Sequence, residues 1–117
     1  MPALDPWELA VTPTLIISAA LATRDFQDVH HDRDAAVRRG GKDIFLNILT
    51  TTGLVQRYVT DRLPDADVRG ISIRLGTPCF AGDTLTFTGT LTEPGRIAVT
   101  GRTAAGAHVT GTVTVAS

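Results

Sequence analysis

The stretch from Asp43 to Asp61, DIFLNILTTTGLVQRYVTD, decides the fold of this chain. Apolar side chains recur in it at roughly helical spacing, which predicts one long helix over residues 43–61. The apolar positions cover much of the helix circumference, and a helix of that kind is normally buried. They are Ile44, Phe45, Ile48, Leu49, Leu54, Val55 and Tyr58 or Val59. The run Thr50-Thr51-Thr52-Gly53 contains poor helix formers, but its compact side chains would allow a sheet to approach closely.

Shorter elements are predicted on the N-terminal side of this helix. The residues from Trp7 to Val11 suit a short opening strand. Thr12-Pro13 is typical of a helix start, because Thr caps free N–H groups and Pro suits the first helical position. The apolar segment Thr14 to Ala22 then suits a short buried helix. Asp32 is predicted to cap another helix over Arg33 to Arg39, which the following glycine pair ends.

The C-terminal half shows a different period. Beyond Pro64, four segments of alternating apolar and polar residues are separated by turn sequences, the clearest being Ala81-Gly82-Asp83, Pro94-Gly95 and Ala105-Gly106. This pattern predicts four strands joined by short turns, as an antiparallel meander with one buried face. His108 alternates with threonines in the last strand, so it is predicted to face away from the core.

One long apolar helix followed by an antiparallel sheet is an α+β layout. The apolar face of the sheet needs a cover, and the helix over residues 43–61 is the one candidate long enough to provide it. The sheet is therefore expected to curl around that helix, which is the arrangement of the hot-dog fold. A length of 117 residues suits one compact domain, predicted over residues 1–117.

The overall composition excludes several classes of protein. The chain has 11 basic and 12 acidic residues, a formal net charge of −1 and no basic stripe, which argues against a nucleic-acid partner. The longest apolar run, Leu15 to Ala22, is too short to span a bilayer, and the N-terminus lacks the features of a signal peptide. The single cysteine, Cys79, fits a reducing compartment and is predicted to be a small buried residue. The predicted location is the cytoplasm.

A charged segment between Arg24 and Lys42 holds the candidate catalytic residues. Asp25 and His30 lie five residues apart, and a carboxylate beside an imidazole can exchange protons with one substrate. Taken singly, Asp25 could cap a turn and His30 could be a structural histidine. A metal would need three or four converging ligands, and no second cluster accompanies His30-His31-Asp32. No metal is therefore predicted.

The loop Arg24-Asp25-Phe26-Gln27-Asp28-Val29-His30 resembles the Gly-Asp-x-Asn-Pro-(Leu/Ile/Val)-His loop of MaoC-like, R-specific enoyl-CoA hydratases. The stretch Arg74-Leu-Gly-Thr-Pro-Cys-Phe-Ala-Gly-Asp-Thr-Leu85 also resembles a strand and turn of that family, and the likeness extends from Thr12 to Val115. Three positions depart from the pattern: Arg24 replaces Gly, Gln27 replaces Asn and Asp28 replaces Pro.

The resemblance implies an enzyme that adds water across the α,β double bond of an acyl-CoA thioester, with Asp25 and His30 as the acid/base pair. It implies backbone N–H donors for the thioester oxygen at the start of the 43–61 helix. Asn47 occupies the position of a family Gly there, and Leu46 is its neighbour. Arg38, Arg39 and Lys42 are candidates for the phosphates of the substrate, although a solvated charged face explains them equally well. No cofactor is expected apart from the coenzyme A of the substrate.

A narrower resemblance is carried by residues 43–61. They are similar to the small catalytic subunit of the actinobacterial steroid side-chain hydratase. That likeness implies a steroid enoyl-CoA substrate of sterol catabolism and a heterotetramer with a second MaoC-like hot-dog subunit. It further implies a DUF35-type domain on or beside the partner and an associated thiolase-like aldolase.

Three alternative functions remain open. The chain could be a homodimeric hydratase of straight-chain enoyl-CoA. It could be a hot-dog thioesterase, for which Asp43 is the one evident carboxylate near the central helix, although Asp43 suits the N-cap of that helix better. It could also be a non-enzymatic assembly subunit that shapes the acyl tunnel of a partner.

Overall fold

The computed structural model describes residues 2–116. Its strands are β1 (Ala3–Ala10), β2 (Asp67–Leu75), β3 (Thr84–Glu93), β4 (Arg96–Thr103) and β5 (Gly106–Ala116). Its helices are α1 (Pro13–Ala22), α2 (Arg33–Arg38) and α3 (Ile48–Arg62), with a 3₁₀ turn over Asp28–His30. The five strands form one antiparallel sheet, and α3 packs against β1, β2, β3 and β5. This is the α+β hot-dog arrangement predicted from the sequence.

The order of strands in the sheet is β1-β3-β4-β5-β2, so the predicted four-strand meander is only partly correct. β3, β4 and β5 do form a meander, but β2 pairs with β5 and residues 76–83 carry the chain across to β3. The opening strand begins at Ala3, earlier than Trp7, and pairs with β3. Alternation in a sequence identifies strands, whereas their neighbours depend on long-range hydrogen bonds.

The two short helices begin where their capping residues predict. The Thr12 hydroxyl accepts the Leu15 N–H at 3.1 Å, with Pro13 at the first helical position. The Asp32 carboxylate accepts the Ala35 N–H at 3.2 Å, which starts α2. None of the helices within residues 2–116 has the length and apolar content needed to cross a membrane.

The long helix starts later than predicted, at Ile48 rather than Asp43. Asn47 is its N-cap, because the Asn47 Oδ1 accepts the Thr50 N–H at 3.1 Å. The residues just before it are extended and bond to the crossover: the Leu46 N–H donates to the Cys79 carbonyl, and the Ala81 N–H donates to the Ile44 carbonyl, both at 3.0 Å. These backbone bonds remove residues 44–46 from the helix, although their apolar side chains continue its pattern.

Close contact between α3 and the sheet depends on Gly89 and Thr51. Tyr58 is fully buried and stacks on Phe87 with ring centroids 5.7 Å apart. A Cβ atom at Gly89 would lie 2.9 Å from the Tyr58 ring, so a larger residue would push the helix away. Thr51 is fully buried, as the compact threonine run predicted, whereas Gly53 faces solvent and makes no such contact.

His108 is buried, which contradicts its predicted outward orientation. The β4–β5 register pairs Gly101 with Val109 and Arg102 with Ala107, leaving His108 as an extra residue in β5. Such a β-bulge interrupts the alternation and redirects one side chain. His108 is only 2% exposed, and its ring bonds to the Thr51 hydroxyl and the Thr77 carbonyl, each at 2.8 Å.

Cys79 is fully buried, which confirms its predicted position in the core. Burial, assisted by the nearby negative charge of Asp83, raises the pKa of its thiol to about 12. A thiol with such a pKa carries almost no thiolate at neutral pH, and the thiolate is the nucleophilic form. Cys79 therefore has a packing role.

Candidate active site

The end of α1 determines where Asp25 lies. The Arg24 N–H donates to the Leu21 carbonyl at 3.1 Å, and the Asp25 N–H donates to the Ala20 carbonyl at 2.9 Å. These two bonds are those of a Schellman motif, which closes a helix through a residue in the left-handed conformation. Asp25 is thus held by its own backbone directly after the helix.

Arg24 occupies that left-handed position, with φ of 58°, and no other non-glycine residue within 2–116 has a positive φ. The Gly-Asp-x-Asn-Pro-(Leu/Ile/Val)-His pattern that this loop resembles has Gly at the corresponding position. A residue with a side chain pays about 1–2 kcal/mol to adopt this conformation. The departure from the pattern therefore leaves the path of the backbone intact and lowers the stability of the loop.

We expect Arg24→Gly to stabilise the protein by about 1 kcal/mol, because glycine adopts a positive φ without the steric penalty. Thermal unfolding followed by circular dichroism measures the change. The matched control is Arg57→Gly inside α3, where the backbone is helical and glycine costs about 1 kcal/mol. A loss of stability in Arg24→Gly would contradict the assignment of strain to this position.

His30 is positioned by the 3₁₀ turn and by Phe45. The residue is buried, and its Nδ1 lies 2.7 Å from the Phe45 carbonyl. A carbonyl only accepts hydrogen bonds, so Nδ1 carries a hydrogen and donates it. In the neutral ring the Nε2 atom is then an acceptor. The Phe45 ring packs edge-on against the imidazole at 4.9 Å and fixes its orientation further.

Asp25 and His30 converge, as their spacing predicted. The His30 Nε2 lies 3.4 Å from the Asp25 Oδ2. A carboxylate oxygen and a neutral Nε2 are both acceptors, so they cannot hydrogen-bond to each other directly. A bond between them needs a proton on the ring, and otherwise a third molecule must donate a hydrogen to each. Water has two such hydrogens. The Asp25 side chain is 21% exposed and that of His30 only 6%, so a reactant reaches the pair from the side of the carboxylate.

Further hydrogen bonds orient the Asp25 carboxylate. The Oδ1 atom accepts the Gln27 N–H at 3.3 Å, and the Oδ2 atom accepts the Asn47 side-chain amide at 3.2 Å. Gln27 thus contributes through its backbone at the position where the family pattern has Asn. Asp28 is the other departure from the pattern. Its carboxylate forms an ion pair with Arg39 at 3.0 Å, and its backbone carbonyl accepts the Asp32 N–H. These contacts hold the loop that joins the two candidate catalytic residues.

The start of α3 offers backbone donors, but not the full predicted set. Leu46 was predicted as one of them, and this is wrong because its N–H is bonded to the Cys79 carbonyl. The role of the Asn47 backbone N–H as a donor to the thioester oxygen stays a prediction. Within residues 2–116 the N–H groups of Ile48 and Leu49 also have no acceptor, as expected for the first turn of a helix. Sequence reasoning missed these two because it started the helix at Asp43.

The predicted phosphate-binding cations are exposed on the surface. Arg39 bonds to Asp28, and Lys42 lies 3.9 Å from Asp83 and above the Phe80 ring. Arg38 is exposed and forms no ion pair within the described residues. Their contact with a substrate stays a prediction.

Asp43, the candidate thioesterase carboxylate, lies in the loop before α3. It precedes α3 by several residues, where its Oδ1 accepts the Ile44 N–H at 2.8 Å and its Oδ2 lies 3.6 Å from Arg33. Asp43 was also interpreted as an N-cap of the long helix, and that is wrong because Asn47 caps α3. Its carboxylate is therefore engaged in holding the loop before the helix.

Large apolar side chains are exposed close in sequence to Asp25 and Asn47, a feature that sequence reasoning missed. They are Leu21 (51%), Phe26 (66%), Ile48 (51%) and Leu49 (54%). Leu21 and Phe26 lie within four positions of Asp25, and the other two directly follow Asn47 in the sequence. We call them the apolar rim. Exposed apolar clusters of this kind mark binding surfaces.

His31 is the second histidine of the loop and directly follows His30. Its Nε2 lies 3.3 Å from the Phe26 carbonyl, on the exposed side. Among residues 2–116 no three His, Cys, Asp or Glu side chains converge in a way that could hold a metal ion.

Comparison with known proteins agrees with this fold. A family model, the MaoC like domain, matches residues 3–114. The chain therefore belongs to the MaoC-like domain family.

Particular relatives are more informative than the family. The 3-oxo-4,17-pregnadiene-20-carboxyl-CoA hydratase beta subunit of Mycobacterium tuberculosis (strain ATCC 25618 / H37Rv) is 59% identical over 106 residues, which cover 86% of this chain and 82% of that protein. A chain in the crystal structure of the ChsH1-ChsH2 complex from M. tuberculosis superposes with a TM-score of 0.92 at 55% identity, over 98% of this chain and 94% of that one. The (R)-hydratase from A. caviae involved in PHA biosynthesis has a TM-score of 0.82 at 20% identity, over 98% of this chain and 96% of that one. At that identity the last likeness supports the fold alone.

Proposed function

We propose that this chain is the catalytic subunit of an enoyl-CoA hydratase that acts on a steroid side-chain thioester. The observation that carries the proposal is the approach of the Asp25 Oδ2 to the His30 Nε2 at 3.4 Å, with the tautomer of His30 set by Phe45. Two acceptors at this separation suit one water molecule that donates a hydrogen to each. No cofactor is required beyond the coenzyme A of the substrate.

In the proposed reaction, the oxygen of this water bonds to the β carbon of the conjugated thioester. The Asp25–His30 pair takes one proton from the water, and the α carbon receives one proton from the same pair. Both side chains face the same water, so each proton is assigned to the pair rather than to one residue. The sum of the two transfers adds one water to the double bond and leaves the pair as it began.

Negative charge grows on the thioester oxygen while the water adds. The free N–H groups at the start of α3 are suited to that charge by position and by the helix dipole. Ile48 and Leu49 supply such groups, and Asn47 is the third candidate. The side chain of Asn47 touches Asp25, so this end of α3 is beside the reacting pair.

The apolar rim suits the hydrocarbon part of the substrate. Its four side chains are exposed, and each lies within four positions of Asp25 or Asn47 along the chain. The relative at 59% identity is named for a pregnadiene carboxyl-CoA, a rigid apolar acyl group. We therefore propose the same class of thioester for this chain.

We propose a heterotetramer with a second MaoC-like hot-dog subunit, accompanied by a DUF35-type domain and serving a thiolase-like aldolase. The support is the likeness to a chain of the ChsH1-ChsH2 complex, which contains two different subunits by name. A partner would also cover apolar rim residues that the substrate leaves exposed.

The test uses the full chain co-expressed with the second subunit from the same source. We expect loss of the conjugated thioester absorbance with the steroid enoyl-CoA, no release of free thiol, and a kcat/KM at least about 10-fold above that for crotonyl-CoA. Thiol release that matches substrate loss would identify a thioesterase instead. Preference for crotonyl-CoA by the chain alone would favour a homodimeric straight-chain hydratase, and absence of any reaction would favour an assembly subunit.

A further inference from the structure

The side chain of Asn47 links the start of α3 to the Asp25 carboxylate. Its amide nitrogen lies 2.9 Å from the Thr23 hydroxyl oxygen and 3.2 Å from the Asp25 Oδ2, and its Oδ1 accepts the Thr50 N–H at 3.1 Å. The residue is 3% exposed. The Thr23 hydroxyl donates its own hydrogen to the Ala19 carbonyl at 2.8 Å, so it is free to accept. The amide nitrogen of Asn47 therefore donates two hydrogen bonds, and the amide oxygen accepts one.

The orientation of this amide follows from its partners. If the oxygen and nitrogen of Asn47 were exchanged, an acceptor would face the Asp25 carboxylate and a donor would face the Thr50 N–H. Each of these arrangements is repulsive. The Asn47 nitrogen must therefore point toward Asp25, and it reaches the same oxygen that approaches His30.

We propose that Asn47 is a positioning residue: its side-chain amide holds the Asp25 Oδ2 in the place where it shares a reactant with His30. The inference rests on the proposed function and adds to it. Asn47 is 22 positions from Asp25 and outside the loop motif of residues 24–30, so the motif itself does not supply this contact. The amide does not itself touch the reacting atoms.

Asn47→Asp separates this role from helix capping. Aspartate has the same shape and caps helices as well as asparagine, so the Thr50 N–H keeps its acceptor. The second oxygen, however, replaces a donor by a negative charge beside Asp25. We expect kcat to fall by about 10- to 100-fold, as when a partner that orients a functional group is removed, with KM nearly unchanged. Asn47→Ser, which caps but cannot bridge to Asp25, should also lose kcat.

The matched control is Thr12→Asp, which puts the same carboxylate at the N-cap of α1. It should leave kcat within about twofold, since the contacts that position Asp25 are not altered. Asn47→Asp with kcat within twofold of the wild-type complex would overturn the proposal, because capping alone would then explain the residue.

A second readout needs no substrate. In a crystal structure of Asn47→Ser, the Asp25 carboxylate should turn away, so that the Oδ2–Nε2 distance of 3.4 Å is lost. An unmoved carboxylate above an intact α3 would reject the positioning role. This readout keeps the inference separate from the proposed function: an inactive wild-type complex rejects hydration, whereas only the Asn47 variants decide the role of the amide.

Discussion

Replacing Asp25 with Asn, or His30 with Ala, is expected to lower kcat for enoyl-CoA hydration by about 100- to 10 000-fold. Proton transfer by a positioned side chain contributes an effect of this size. Asp25→Asn keeps the shape of the side chain but removes the charge that accepts a proton. His30→Ala removes the Nε2 acceptor that lies 3.4 Å from the carboxylate. Steady-state kinetics on the purified complex measure both.

The control for this experiment is His31→Ala, because His31 is the exposed neighbour on the same loop. It should retain kcat within about twofold, since substitutions on an exposed surface have small effects. Circular dichroism establishes that each variant is folded. Wild-type hydration rates in folded Asp25→Asn and His30→Ala would show that the pair is structural.

The second large effect is on stability. His108→Ala is expected to lower the free energy of unfolding by about 3 kcal/mol at neutral pH, because it leaves the buried Thr51 hydroxyl and Thr77 carbonyl without partners and opens a cavity. Both partners lie 2.8 Å from the ring. Urea denaturation measures the loss. His31→Ala is again the matched control and should change stability by no more than about 0.5 kcal/mol.

The same residue makes the stability depend on pH. Burial lowers the pKa of His108 below its ordinary value of 6.5, although the bond to Thr77 and the charge of Asp83 oppose the shift. When the pH falls below about 6.5, the unfolded chain takes up a proton that the folded chain resists. The contribution of His108 is therefore complete above this pH and is lost as the pH falls. A variant without His108 should show a shallower decline on acidification, and an identical decline would contradict this assignment.

Much of the candidate site was predictable because it depends on short stretches of chain. Asp25 and His30 are joined by one loop, so their spacing limits how far apart they can lie. The Asp25 backbone is held by a Schellman motif whose bonds reach back only to Ala20 and Leu21. By contrast, the contact from Asn47 to Asp25 joins residues 22 positions apart and has no local signature.

The sequence by itself determined that five strands form, where α1 and α2 begin, and the close pairing of Asp25 with His30. Each depends on side-chain alternation, on a cap such as Thr12, or on a short covalent connection, and these act within a few residues. Only the tertiary structure decided the strand order, the start of α3 at Ile48 and the inward turn of His108. These depend on which distant backbone groups form hydrogen bonds, as between Leu46 and Cys79, and a local pattern does not encode that choice.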